Sequence, residues 1–265
     1  MSTPDRPGRI RITVEERVAV VTIDHPRRYN ALTGKMLGEL TTGLARLADD
    51  PTVSVVVVTG SGPHFCAGMD IRELRSARRS GVRMEDRVTD AEEALAAFPK
   101  PTVAAVTGYC IGGGAQLALA CDIRVAAENA EFAVTPAKLG VIYPARTITR
   151  LVHTLGPATA KRLVITGDRI DAGTALRVGL VAEVVPGHRL HTRASALAAT
   201  IAARSAITQR AAKQMIDAAT RGGIDDELER YWAGAPNPDL DIGLDAFLSG
   251  TQPEFTRAGP RHAGP

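Results

Sequence analysis

Three consecutive glycines, Gly112 to Gly114, stand between two apolar stretches of different character. Upstream, Thr102 to Val106 reads as a strand buried on both faces. Downstream, Ala115 to Cys121 reads as an apolar helix. A strand–glycine–helix passage confines the chain to α/β architectures and lays backbone N–H groups bare at a helix N-terminus. The dipole is positive there, so negative charge is stabilised. Glycine is needed where a side chain would block close approach or where φ must be positive. A dinucleotide fold does not fit. The glycines are consecutive rather than spaced G-x-G-x-x-G, no βαβ unit at the N-terminus carries them, and no acidic residue stands where a ribose would be held. Taken alone, the run fits tight packing of helix on strand equally well.

The rest of the chain supports an α/β reading. Arg9 to Asp24 alternates as two short strands around a turn at Glu15-Glu16-Arg17. Thr33 can cap a helix whose stripe is Met36, Leu37, Leu40, Leu44 and Leu47. Val53 to Val58 reads as a buried strand. The Arg-rich segment from Arg72 to Arg87 looks the least ordered part of the middle. Ala91, Ala94, Leu95 and Phe98 make a helical stripe ended by Pro99 and Pro101, and Ile123 to Ala126 begins another strand. Beyond Ala145 the pattern is mainly helical. A loose boundary near residue 205 separates a core, 1–205, from a helical, Ala-rich region, 206–265. The outermost ten or so residues at each end read as frayed.

Charge and cysteine usage exclude several classes. The net charge is only +3 and no basic run is interleaved with aromatics, so nucleic acid is not an expected partner. A basic surplus suits a polyanionic small ligand. Three cysteines, Cys66, Cys110 and Cys121, with no C-x-x-C pair, argue against a disulfide framework or a zinc site and suit buried thiols in a reducing compartment. No apolar signal region opens the chain and no stretch has membrane-spanning length, so the expected location is the cytoplasm.

A second small-residue turn precedes the glycine run. Phe65-Cys66-Ala67-Gly68-Met69-Asp70-Ile71 follows the Val53–Val58 strand and the turn Gly60-Ser61-Gly62-Pro63. Two such turns on neighbouring strands can aim two N–H donors at one point, which is an oxyanion hole.

Four passages in order resemble those of the crotonase superfamily, the enoyl-CoA hydratase/isomerase family. Asp24 to Leu32 resembles its N-x-P-x-x-x-N-A-L, and Phe65 to Ile71 resembles its F-x-A-G-x-D-[LI]. Pro99 to Gly114 resembles its K-P-x-I-A-A-V-x-G-x-x-x-G-G-G. Gly243, Ala246-Phe247 and Pro253-Glu254-Phe255 resemble its C-terminal pattern. The resemblance implies a spiral core of repeated ββα units with a helical C-terminal region, trimers often paired into hexamers, and acyl-coenzyme A as substrate. No metal or redox cofactor is implied. Carried over by position, it implies oxyanion donors from the backbone of Met69 and Gly113. Ala67, Asp70 and Ile71 fall where members contact the adenine end of coenzyme A, and Gly112 joins the substrate-contacting set. Arg27 and Arg28 fall near its phosphates, where a plain solvated role fits equally well.

The family pattern breaks at its acid–base groups. Typical hydratases use two glutamates. The first position here is Gln116, whose amide has no titrating proton. The second aligns with Pro136. Thr135 to Tyr143 is similar instead to the T-P-x-N-L-G-V-x-Y stretch of methylmalonyl-CoA decarboxylase-like members, which implies a place for Tyr143 at the acyl end. Lys138 departs from that stretch's asparagine. Decarboxylation of a malonyl-type thioester needs an oxyanion hole and only a weak acid to return a proton to carbon, for which Tyr143 or a water serves, and a pocket cleared of carboxylates would not repel such a substrate. Lys138 or Arg146 could attract its carboxylate, although a plain solvated role fits each of them better. Hydration or isomerisation by other residues, and acyl-CoA binding without catalysis, stay open as alternatives.

Overall fold

The computed structural model describes residues 7–255. The expected frayed ends lie largely outside that range. A hairpin opens the chain, β1 (Arg9–Glu15) antiparallel to β2 (Val18–Asp24). Its two-residue turn places Glu16 at φ 45° and Arg17 at φ 70°, the left-handed pair whose twist matches the flanking strands. The helix α1 (Gly34–Asp49) starts where Thr33 Oγ1 accepts the Met36 N–H at 3.2 Å, and it buries the expected stripe. The strand β3 (Val55–Gly60) is buried at every residue, as its valine run demands.

The Arg72–Arg87 segment is not disordered. It forms α2 (Ile71–Arg79) and the start of α3 (Met84–Ala96). Asp70 caps α2, accepting the Arg72 N–H at 2.9 Å and the Glu73 N–H at 3.3 Å. Met84, Val88, Ala91 and Leu95 of α3, spaced four, three and four apart, are buried. The arginines simply occupy the solvated side of both helices.

The remaining elements are β4 (Thr102–Val106), β5 (Tyr109–Ile111), α4 (Gly113–Ala120), β6 (Ile123–Ala127), β7 (Glu131–Ala133), α5 (Pro136–Leu139), α6 (Ala145–Thr166), β8 (Arg169–Asp171), α7 (Ala172–Arg177), β9 (Glu183–Val185) and α8 (Leu190–Ala202). Three more helices follow, α9 (Ala206–Arg221), α10 (Asp226–Gly234) and α11 (Asp239–Ser249). The strands divide between two sheets, β1-β2-β3-β4-β6-β9 and β5-β7-β8. From β2 onward the larger sheet is parallel. Its strands β3, β4 and β6 turn alternate residues to opposite cores. Val55, Val57, Val103, Ala105 and Val125 pack with Leu190, Ala194 and Ala198 of α8. Val56, Val58, Ala104 and Ala126 join the larger core with the α1 stripe.

The chain climbs by a repeating step: a strand in the larger sheet, a short extended piece in the smaller layer, then helix. β4, β5 and α4 make one step; β6, β7 and the α5–α6 pair make the next. The β3 step uses single bridges, Cys66 to Cys110 and Met69 to Leu32, before α2. This is the expected spiral of ββα units. It sets the extended pieces of successive steps side by side, and with them the starts of α2 and α4.

Asp122 fastens this core to the helical region beyond residue 205. Its Oδ2 accepts the Thr102 N–H at 2.7 Å, the Thr102 hydroxyl at 2.9 Å and Lys213 Nζ of α9 at 2.8 Å. Among the described residues no helix is long and apolar enough to cross a membrane.

Candidate functional site

Met69 is held by the bridge to Leu32. The Leu32 N–H donates to Gly68 O at 2.7 Å, and the Asp70 N–H donates to Leu32 O at 2.8 Å. In a ladder, a residue flanked by two bonded neighbours turns its own N–H to the opposite side. The Met69 N–H therefore points away from Leu32, and among the described residues it has no acceptor. Asn30 makes this clasp rigid. Its buried amide accepts the His25 N–H at 2.9 Å and donates to Ser61 O at 2.9 Å and His64 O at 2.6 Å. The N-A-L signature thus fixes Leu32, and Leu32 fixes Met69.

Gly113 is the first residue of α4, so its N–H has no intrahelical acceptor and stands at the positive end of the helix. Gly112 turns the chain at φ 54°, ψ −117°, a conformation closed to residues with a Cβ. Its N–H is engaged by Ala133 O at 2.9 Å. Gly114 serves close approach instead. A Cβ there would stand 2.3 Å from Cys66 O and 2.8 Å from Cys66 Cβ. Because the first obstacle is backbone, Gly114→Ala is expected to cost about 1–3 kcal/mol of stability by overpacking. Its urea midpoint would fall accordingly, and an unchanged midpoint would show that the two turns do not meet as described. The glycine run therefore serves both packing and N–H exposure, at different residues.

A cavity of about 600 Å³, its open mouth included, lies over the two turns. Ala67, Gly68, Met69, Gly112, Gly113, Gln116, Thr135, Pro136 and Tyr143 line it, with Ile71, Leu74, Val88, Leu139, Val141 and Pro144 completing an apolar wall. Of the site residues expected from sequence, the fold brings together Met69, Gly113, Gln116, Tyr143, Ala67, Ile71 and Gly112. It leaves Asp70 capping α2, and Arg27 and Arg28 in a short 3₁₀ turn beside His25, outside the cavity lining. Lys138 and Arg146 also lie outside it. The Lys138 stem packs against Gly167, and Arg146 reaches Glu93 at 3.5 Å on the surface. Both therefore take the solvated role that the sequence favours, and neither stands where it would attract an acyl carboxylate.

One lining residue escaped the sequence reading. Glu85, in the first turn of α3, borders the cavity and is its only carboxylate among the described residues. The pocket is therefore not cleared of carboxylates as expected. The stripe of α3 runs back to Met84, and that spacing was the available signal.

Tyr143 is half-buried, and its hydroxyl lies 3.7 Å from where a Cβ on Gly112 would stand. Burial, with the nearby Glu92 carboxylate adding to it, pushes the phenol well above its ordinary pKa, against a backbone hydrogen bond at Thr135. It stays protonated. Glu92 is fully buried and joins α3 to α6 through the Thr147 hydroxyl at 2.6 Å and through Arg150. Burial pushes its carboxyl upward, against those partners. Glu131 pairs with Arg169 at 2.8 Å on the second sheet, away from the cavity lining. All three thiols are buried and unpaired, and burial pushes Cys66 and Cys121 up to about 12. They are packing groups, not nucleophiles. Among the described residues no cluster of three potential metal-ligating side chains occurs.

Comparison with known proteins gives a consistent result. The model of the enoyl-CoA hydratase/isomerase family matches residues 13–256. The probable enoyl-CoA hydratase echA8 of Mycobacterium tuberculosis is 36% identical over 246 residues, 91% of this chain and 95% of that protein. The 2,3-dehydroadipyl-CoA hydratase of Escherichia coli is 34% identical, over 92% of this chain and 97% of that one. Among solved structures, an enoyl-CoA hydratase/isomerase family member superposes with TM-score 0.87 at 40% identity, over 94% of this chain and 98% of that one. The enoyl-CoA hydratase of Bacillus anthracis does so with TM-score 0.88 at 32% identity, over 94% and 99%.

Proposed function

The chain belongs to the enoyl-CoA hydratase/isomerase family and acts on acyl-CoA, and from that premise we propose that it decarboxylates a malonyl-type acyl-CoA through an enolate held by the N–H groups of Met69 and Gly113. The observation that carries the reading is that Gln116 and Pro136, which the sequence resemblance sets at the family's two glutamate positions, both border the cavity. Neither can take or give a proton. In the proposed step the bond between the α-carbon and the carboxylate breaks and carbon dioxide leaves. The electron pair becomes the enolate double bond, and the charge settles on the thioester oxygen between the two donors. The wall of Val88, Leu139, Val141 and Pro144 favours moving the charge from the carboxylate to the two donors, since an unpaired carboxylate is costly in apolar surroundings. Tyr143, kept protonated by burial, donates a hydrogen bond at the acyl end.

The step requires no metal or redox cofactor, and coenzyme A enters as part of the substrate. We also propose homotrimers or homohexamers, in which the helices beyond residue 205 pack on neighbouring copies. Phe247 and Leu248 of α11 are 84% and 82% exposed in the single chain. The three buried thiols suit a reducing cytoplasm.

The test is incubation with malonyl-CoA and methylmalonyl-CoA, followed by mass spectrometry of the thioester. Loss of carbon dioxide is expected from at least one. Tyr143→Phe should be about tenfold slower, the loss of one hydrogen bond to a charged group. No turnover of any malonyl-type ester by folded protein sinks decarboxylation, and an undiminished Phe variant removes Tyr143 from it. A second reading, hydration or isomerisation by residues other than the usual pair, has Glu85 in its favour.

A further inference from the structure

We infer that Glu85 is the residue that exchanges a proton with the carbon next to the substrate's thioester carbonyl. This rests on the reading that an enolate forms between Met69 and Gly113. Enolate chemistry needs a group that can hold and release a proton at that carbon. Among the described residues lining the cavity, only Glu85 and Tyr143 carry titrating side chains.

Several observations single out Glu85. It lies one turn before Val88 on α3, so the two share a helix face. Val88 Cγ1 comes within 3.7 Å of where a Cβ on Gly113 would stand, which sets this face against the start of α4. The carboxylate of Glu85 makes no ion pair or side-chain hydrogen bond among the described residues. The nearest cation in sequence, Arg83, is paired with Asp86 at 3.4 Å, while Arg87 turns toward Gly34. Glu85 is half-buried, so it borders the cavity and still reaches solvent to reload its proton. Tyr143 is held protonated, so it can give a proton to the carbon but not take one from it.

The exchange balances simply. The Glu85 carboxylate takes the α-proton, the C–H pair becomes the enolate double bond, and the thioester oxygen takes the charge. Return of a proton from the Glu85 carboxyl group to carbon reverses the step. After loss of carbon dioxide only this second half is needed.

The experiment uses butyryl-CoA, which has no carboxylate to lose, in deuterium oxide with the full chain. Mass spectrometry and NMR follow deuterium into the α-position, and affinity for butyryl-CoA is measured alongside. Wild type is expected to exchange. Glu85→Gln should exchange about 10²- to 10⁴-fold more slowly with unchanged affinity, and Glu85→Asp should retain part of the rate. Asp86→Asn, one residue on and outside the cavity lining, should match wild type. Exchange by Glu85→Gln at the wild-type rate overturns the inference, as does wild-type protein that binds butyryl-CoA without exchanging it. If exchange follows Glu85 while no malonyl-type ester is turned over, decarboxylation fails and this inference stands.

Discussion

Crotonyl-CoA is expected to be hydrated slowly or not at all by the wild-type protein, and Gln116→Glu together with Pro136→Glu is expected to raise the rate by at least about 10²-fold. A positioned acid or base is typically worth about 10² to 10⁴ in rate, and both usual positions here lack a titrating group. The two N–H donors of the proposed oxyanion hole remain, so the scaffold for the reaction is present without its usual pair of proton carriers. Gln116→Glu alone leaves position 136 without a titrating group and should recover little. The second substitution is structurally mild. Pro136 is the first residue of α5, where the N–H of a glutamate would be unpaired in any case. Pro136 is buried in the cavity wall, and burial there would raise the new carboxyl's pKa toward that of a usable acid. The loss of enoyl thioester absorbance measures all three proteins. Fast wild-type hydration would show that another carboxylate does the work, and Glu85→Gln in the same assay would identify it.

Which features could be read from the sequence depended on how local their causes are. The α1 stripe and its Thr33 cap were legible because periodicity and capping act within a turn or two. The valine run of β3 was legible because burial on both faces removes alternation. The three-residue strands β5, β7 and β8 carry no period of their own; they exist because neighbouring steps of the spiral offer them partners. Polarity misled at Arg72–Arg87, where two helices expose most of their surface and only Asp70 and the Met84-Val88 spacing mark them. The oxyanion turns stood out because glycines and small residues cluster where backbone meets backbone. Glu85 did not. Its role arises from the meeting of α3 with the Gly112–Gln116 and Thr135–Tyr143 segments, which no local pattern relates.

Gly113→Pro is expected to lower turnover of whichever acyl-CoA proves to be the substrate by about 10² to 10³, the range for loss of one oxyanion donor. The substitution removes the donor while sparing the helix, which makes it a sharp test. Position 113 is the first residue of α4, where proline is well tolerated because its missing N–H would have had no helical acceptor. A Cβ at Gly113 meets Leu32 Cδ1 at 3.6 Å and Val88 Cγ1 at 3.7 Å, both ordinary van der Waals contacts. The preceding residue is Gly112, which is free of the clash a larger residue would have with the proline ring. The ring's Cδ then occupies the line along which the N–H pointed, so the thioester oxygen loses a hydrogen bond and meets a methylene. The Met69 donor remains, which is why activity should fall and not vanish. Thermal unfolding should match wild type, and deuterium exchange into butyryl-CoA should fall with turnover because both pass through the same enolate. Undiminished turnover in a folded Gly113→Pro protein would mean that the thioester oxygen does not sit between Met69 and Gly113.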